Sequence, residues 1–354
     1  MGFFSAETLA IDTRPTADSS PLCGSCRLEL GCRSPKMKPA GSGQKKILIV
    51  AEAAGKAEDL QGVPLVGASG KRLRADLKSV GINIDQDCWR TNAVICRPSE
   101  PDGRNRTPTP REIDYCRPNL LKAIRDFNPV TILLLGGVAT RALLGHLGLE
   151  DPGMITKWAG YRIPSRELNA WICPTWHPAY LLREEEHQET TIGRWHREHL
   201  RAASRLRERP WTTVPDPADQ VERIYNQERA AREICDFIER GRPTAFDYET
   251  NMLKPDGPRA RIFCTSLSDG ERTIAFPWGG PTREALWEFL RSKVPKIGAN
   301  IKFEERWGRA LLGTPTRNWS WDVVLAAHLI DTRRGVSGVK FQAFVQLGIS
   351  PYSQ

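Results

Sequence analysis

The sequence predicts an α/β protein of two domains, and three observations carry that expectation. Short β-branched apolar runs alternate with segments of helical periodicity from Lys46 onward. At 354 residues the chain has room for two cores, at roughly 150 residues per domain. A polar stretch with three prolines, Pro210 to Gln220, separates two such alternating regions. Apolar residues at 40% and charged residues at 26% exclude disordered and collagenous chains. The formal charge of +9 makes polyanions plausible partners.

Residues 1–20 are polar and aperiodic and read as a flexible N-terminus. KILIVAEA is a strand, and Gly70 to Val80 a helix with Leu73, Leu77 and Val80 on one face. CWRTNAVIC, VTILLLG and NAWICPT read as further strands, with helices over Arg111 to Phe127 and Val138 to Leu147. This alternation predicts a parallel sheet covered by helices on both faces. Gly193 to Arg209 is a basic helix on which Arg194, Arg197, Arg201 and Arg205 share one face, a stripe able to grip phosphates or simply to meet water. Past the linker, Gln220 to Arg240 reads as a helix, TAFDYET, RIFCTSL and RTIAFPW as strands, and 282–293, 301–312, 321–331 and 337–347 as helices. The expected domains are 21–209 and 221–354, joined by 210–220.

The longest apolar run, Val130 to Ala139, is about half the ~20 residues that cross a bilayer, and the N-terminus lacks the pattern of a secretory signal. A cytoplasmic location is expected. In that reducing solvent the nine cysteines read as metal ligands or buried thiols. Cys23 and Cys26 form a CxxC pair, and Cys96 and Cys116 each stand in a Cys-Arg-Pro context; four such thiolates suit zinc or an iron–sulfur cluster. Cys32 is a spare. Cys88, Cys173, Cys235 and Cys264 fall at strand or helix positions, where free cysteine acts as a small core residue.

CGSC, AEAAGKAEDLQGVPLVGASG, TNAVICRP, the second CRP, LLLGGVATRALLG and HPAYLLR follow one another over residues 20–208. In that order they resemble the motifs of family-4 uracil-DNA glycosylases. The resemblance implies a 4Fe–4S cluster on Cys23, Cys26, Cys96 and Cys116, and hydrolysis of the N-glycosidic bond of uracil in DNA. It puts Glu52 against the base or the attacking water, and lets Glu58 and Asp59 shape the loop. Asn92 would pair with the amide edge of the base, and His177 would hydrogen-bond the uracil oxygen as charge develops. Leu181 or Leu182 would wedge into the duplex, with Arg183 on phosphate. Two departures bear on activity. Ala51 replaces a family Gly and restricts the backbone, and Leu65 stands where the family stacks a Phe on the base.

In the second region, Asp247 and Glu249 lie two apart on a strand and so project from one face. With Asn300, Glu304 and Asp322 they resemble the 3′–5′ exonuclease domain of DNA polymerase I, an RNase H-like fold. That resemblance implies Mg²⁺ or Mn²⁺ held by Asp247, Glu249 and Glu304, with Asp322 outside the direct ligands. The Tyr-x-x-x-Asp motif that brings the fourth ligand does not occur before Gln354, so an incomplete site is expected: the sequence is the front part of a larger polymerase, another chain such as a polymerase supplies the missing helix, or the domain is a remnant. The combined expectation is a uracil-DNA glycosylase-like domain followed by a truncated exonuclease-like one. The alternatives are a non-catalytic iron–sulfur DNA-binding module of a phage-like or bacterial polymerase, and a zinc-bound scaffold.

Overall fold

A computed structural model of the chain describes residues 20–149, 151–184 and 190–350. The expectation for residues 1–20 lies outside them, but for Ser20. The described chain forms two compact units, residues 20–212 with 343–350, and Thr213–Gln342. Among the described residues no helix is long and apolar enough to cross a membrane.

The first unit begins with the single-turn helix α1 (Cys23–Cys26), followed by β1 (Ile47–Ala53), α2 (Lys56–Gln61), α3 (Ala68–Ser79), β2 (Cys88–Val94) and α4 (Pro110–Phe127). Then come β3 (Thr131–Leu135), α5 (Gly136–His146), α6 (Ile155–Trp158), β4 (Ile163–Ser165), β5 (Ala170–Thr175), α7 (Pro178–Glu184) and α8 (Thr191–Ser204). The strand order is β2-β1-β3-β5-β4. The first four are parallel, while β4 pairs antiparallel with β5 at the edge. The expected parallel sheet thus gains one short antiparallel edge strand, Ile-Pro-Ser, too short to show a period in sequence.

Leu48, Ile49 and Val50 are fully buried, as a strand covered on both faces requires, and each contributes about 1.5–3 kcal/mol of apolar burial. Helix α4 starts at a capping box: the Thr109 hydroxyl accepts from the Glu112 amide (3.3 Å) while the Glu112 carboxylate accepts from the Thr109 amide (2.7 Å). Pro110 fits the first helical position because its missing N–H would have no partner there.

The second unit contains β6 (Val221–Arg223), α9 (Gln227–Arg240), β7 (Thr244–Thr250), β8 (Ile262–Ser268), β9 (Thr273–Pro277), α10 (Gly280–Arg291), β10 (Lys296–Gly298), α11 (Lys302–Leu312), β11 (Trp319–Asp322) and α12 (Val323–Ile330). Its sheet has the order β11-β10-β7-β8-β9-β6, antiparallel from β7 to β9 and parallel elsewhere. Phe237, Phe246, Phe276, Phe289 and Trp307 fill the core. Two expected helices start late. Val221–Arg223 pairs with β9 instead, and Asn226 caps α9 by accepting from the Arg229 amide (2.9 Å). Trp319–Asp322 extends the sheet, and α12 begins only after the Asp322 cap.

The closing helix α13 (Val339–Leu347) lies at the second boundary. Where the sequence reading carried the second domain to residue 354, residues 343–350 group with the first unit. There Phe344 meets Trp158 edge-on at 5.9 Å, and Arg166 donates to the Leu347 carbonyl at 2.9 Å.

Asp322 accepts from four backbone amides, those of Asn300 (3.1 Å), Ile301 (3.0 Å), Val324 (2.9 Å) and Leu325 (3.2 Å). Those donors hold its carboxyl below the usual range against the opposing effect of burial. Asp322→Ala is expected to destabilise the second unit by about 1–3 kcal/mol, measurable as a lower urea midpoint for loss of its Trp fluorescence signal.

Candidate functional site

Four parallel strands end on one edge, and the residues at those ends form a row. In the register Ala51 lies beside Asn92, Val50 beside Leu134, and Leu135 beside Thr175. The order β2, β1, β3, β5 therefore sets Asn92, Glu52, Gly136 and His177 side by side. From β1 the chain crosses first to β2 on one side and later to β3 on the other, so the crevice between β1 and β3 is a topological switch point. A cavity of about 480 Å³ opens there, lined by Glu52, Leu65, Asn92, His177 and Arg183 among others.

Gly136 separates the two reactive groups. Its φ of 87° is left-handed, and a Cβ there would overlap Glu52 Oε1 and come within 2.9 Å of His177 Cβ. Glu52 Oε1 accepts from the Val138 amide at 3.5 Å, at the first turn of α5. Burial pushes the Glu52 carboxyl up, partly offset by that amide, by the Arg183 guanidinium and by the Gly137 amide. Burial also pushes the His177 imidazole down to about 4, and Arg183 adds to the effect. His177 Nδ1 accepts from the Ala179 amide at 3.2 Å, so the neutral ring carries its proton on Nε2.

Asn92 is 3% exposed, and its amide nitrogen has a sulfur contact with Met37 at 4.0 Å. Leu65 is 4% exposed with φ 58°. Ala51 sits mid-strand with an ordinary negative φ, so the Gly-to-Ala departure brings none of the restriction expected from sequence. Glu58 accepts from the Gly67 amide at 2.9 Å, and Asp59 from the amides of Arg33 (3.2 Å) and Ser34 (2.9 Å); both shape loops.

Leu181 corrects the sequence reading. It is fully buried against Trp176 and Ala159 and cannot enter a duplex, whereas Leu182 is 39% exposed. Arg183 lines the cavity, but the α8 stripe does not. Arg194 is exposed, Arg197 faces Asp76 at 3.9 Å, and Arg201 pairs with Glu198. The sequence reading missed Gly136, signalled by Gly-Gly directly after a buried strand, and the wall formed by Asn105, Arg106, Thr107 and Pro108. Arg106 is held by two hydrogen bonds to Glu112, at 2.8 and 2.6 Å.

Cys23, Cys26, Cys96 and Cys116 line a second, small cavity. The Lys36 amide donates to Cys96 Sγ (3.3 Å), while the Ile95 amide and the Asn119 side chain donate to Cys116 Sγ (3.5 Å each). Burial pushes the thiols of Cys96 and Cys116 up, to about 12 and about 11, against those donors. Four soft donors line one small space, two already met by N–H groups suited to anionic sulfur, which is chemistry that fits an iron–sulfur cluster, while no three of them surround a single metal-ion position. Cys32 does not line that space; it accepts from the Arg97 amide at 3.1 Å. Cys88 and Cys173 are buried as expected, but Cys235 is exposed on α9 and is not a core residue.

In the second unit, β7 buries Phe246 and Tyr248 and turns Asp247 and Glu249 outward. Glu304, 1% exposed, hydrogen-bonds Asp247 directly, and burial with that neighbour pushes its carboxyl up to about 8. Among the described residues no three His, Cys, Asp or Glu side chains surround one metal-ion position. The three acids therefore do not fit an Mg²⁺ or Mn²⁺ ion as they stand: Glu304, one methylene longer than Asp, is turned onto Asp247.

A family model described as the uracil DNA glycosylase superfamily matches residues 39–202. The type-4 uracil-DNA glycosylase of Pyrobaculum aerophilum is 36% identical over 148 residues, which are 41% of this chain and 72% of that protein. A DNA polymerase of Bacillus phage SP01 is 27% identical over 329 residues, which cover 84% of this chain and 34% of the polymerase. RNase D of Escherichia coli, an exoribonuclease involved in structured RNA processing, is 16% identical with a TM-score of 0.31, covering 37% of this chain and 34% of that one. The chain thus spans about a third of the phage polymerase and of RNase D. By the match to its first unit, the chain belongs to the type-4 uracil-DNA glycosylase family.

Proposed function

We propose that the first unit hydrolyses the N-glycosidic bond of uracil in DNA. The observation that carries this reading is the row of Asn92, Glu52, Gly136 and His177 at one sheet edge, bordering one cavity. The reaction joins a water oxygen to C1′ and breaks the N1–C1′ bond, leaving the electron pair on the base. His177 Nε2–H donates to the uracil oxygen on which that charge gathers; a neutral donor in a dry site suits this role and has no proton to lose on Nδ1. Glu52 orients the water and offsets positive charge on the sugar. The Asn92 carboxamide offers a donor and an acceptor to the amide edge.

A 4Fe–4S cluster on Cys23, Cys26, Cys96 and Cys116 would supply a crosslink rather than chemistry. Leu182 is the wedge and Arg183 a phosphate contact at the cavity mouth, with DNA, single- or double-stranded, as the partner. Arg194, exposed on α8, adds a phosphate contact, whereas Arg197 and Arg201 are engaged by Asp76 and Glu198. The second unit is exonuclease-like, as part of a polymerase-type chain. Its support is the 84% coverage of this chain by the phage polymerase match. A polymerase chain is the partner that would complete it.

Uracil release from a single-stranded oligonucleotide is expected to persist in EDTA, since no dissociable metal takes part. His177→Ala and Gly136→Ala should each lower kcat by about 10²–10³ without loss of fold, the second by displacing Glu52. No release under any condition would overturn the reading.

Glu52 must be ionised, and its folded pKa is raised, so kcat/KM is expected to fall on the acid side at a pH above the ordinary carboxylate value. His177 stays neutral down to about 4 and should add no limb between pH 5 and 8. Glu52→Gln should remove the acid limb from the residual rate.

The purified chain should be brown. Cys116→Ser should lose the visible absorption of thiolate-bound iron and Cys32→Ser should keep it, with iron content as the check.

A further inference from the structure

The glycosylase cavity has no aromatic wall. Among the described residues lining it there is no Phe, Tyr or Trp; its apolar lining is Leu65 and Pro108 with alanines, Ala51, Ala54 and Ala179 among them. Leu65 is fixed in place from several directions. Its φ of 58° is one that a branched side chain rarely adopts. Its carbonyl packs against Gly70 so closely that a Cβ there would overlap it. The preceding Pro64 carbonyl accepts from buried Arg90 Nε at 3.1 Å, and Leu65 packs in one core cluster with Ala51, Leu73 and Leu77.

An aromatic side chain favours a flat ring, because stacking needs two π faces in contact. An aliphatic one makes dispersion contacts that follow the shape of whatever lies on it. The groups that read the base, the Asn92 carboxamide and His177 Nε2–H, address the O2, N3–H and O4 edge. That edge is the same whether or not the C5–C6 bond is saturated.

We propose that this cavity accepts 5,6-saturated pyrimidines, of which 5,6-dihydrouracil is the simplest, alongside uracil, and that Leu65 is the residue that sets this tolerance. The inference rests on the glycosylase reading and uses the same reaction. Water gives its oxygen to C1′, the N1–C1′ bond breaks with the pair on N1, and the water proton ends on the released base.

The test gives the full chain, in EDTA, oligonucleotides carrying one uracil or one dihydrouracil and measures free base released. Free uracil and free dihydrouracil are compared as competitive inhibitors, which reads binding apart from leaving-group chemistry. The native chain is expected to release both bases and to be inhibited by both. Leu65→Phe should raise the preference for uracil by at least about fivefold in both measurements, and the volume-conserving Leu65→Met should keep the native ratio. Should Leu65→Phe fail to fold, the native inhibition ratio decides. Release of uracil with neither release of nor inhibition by dihydrouracil overturns the inference alone, as does an unchanged preference in folded Leu65→Phe. Release of neither base removes the glycosylase reading and the inference with it.

Discussion

The structure of the first unit depends on the parallel pairing of β2, β1, β3 and β5, which is held by burial on both faces. Leu48, Ile49 and Val50 in β1 and Ile132, Leu134 and Leu135 in β3 are all fully buried. A strand with no exposed face has one register that keeps its polar ends at the sheet edge, since slipping by one residue would draw them inward. The position of Glu52 relative to Asn92 and His177 is therefore set by apolar packing several residues away. No hydrogen bond among the three is needed to hold the constellation; the partners Glu52 and His177 have are backbone amides.

The two acidic sites show what burial does to a carboxylate under different neighbours. Glu52 is desolvated but meets the amides of Gly137 and Val138 and the positive charge of Arg183, so its ionised form has support. Glu304 is desolvated against another acid, and its ionised form is opposed by both effects. The first arrangement suits a group that must act as an anion. In the second, burial and the neighbouring Asp247 both favour the protonated form of Glu304.

Much of this was legible in the sequence. The β1, β2, β3 and β5 runs, the four cysteines and the Glu52, Asn92 and His177 positions all carry local signals: apolar continuity, a CxxC pair with two Cys-Arg-Pro segments, and polar residues at or just past the ends of strands. What escaped depends on facing and register. Consecutive leucines at 181 and 182 look alike in sequence, yet the helix turns one onto Trp176 and the other to solvent. Three-residue strands such as β4 and β6 carry no period. Gly136 matters because of what lies on both sides of it, two strands away in sequence terms, and Asp322 because its four amide partners come from two separate turns.

The cysteine region is mechanically continuous with the cavity wall at Asn92. Cys96 follows β2 by two residues, and the Met37 amide donates to the Ile95 carbonyl at 2.9 Å, laying the 36–37 segment along the end of that strand. Met37 then contacts the Asn92 amide, and the neighbouring residues Arg33 and Ser34 bond Asp59 of α2, the helix that follows the Glu52 strand β1. Loops of this length have little apolar surface with which to hold themselves still. Thiolates from α1, from the end of β2 and from α4 bound to one centre would close those loops into a ring around Asn92. In that arrangement a cluster would act through geometry alone, by fixing the Asn92 amide at the cavity wall from a distance.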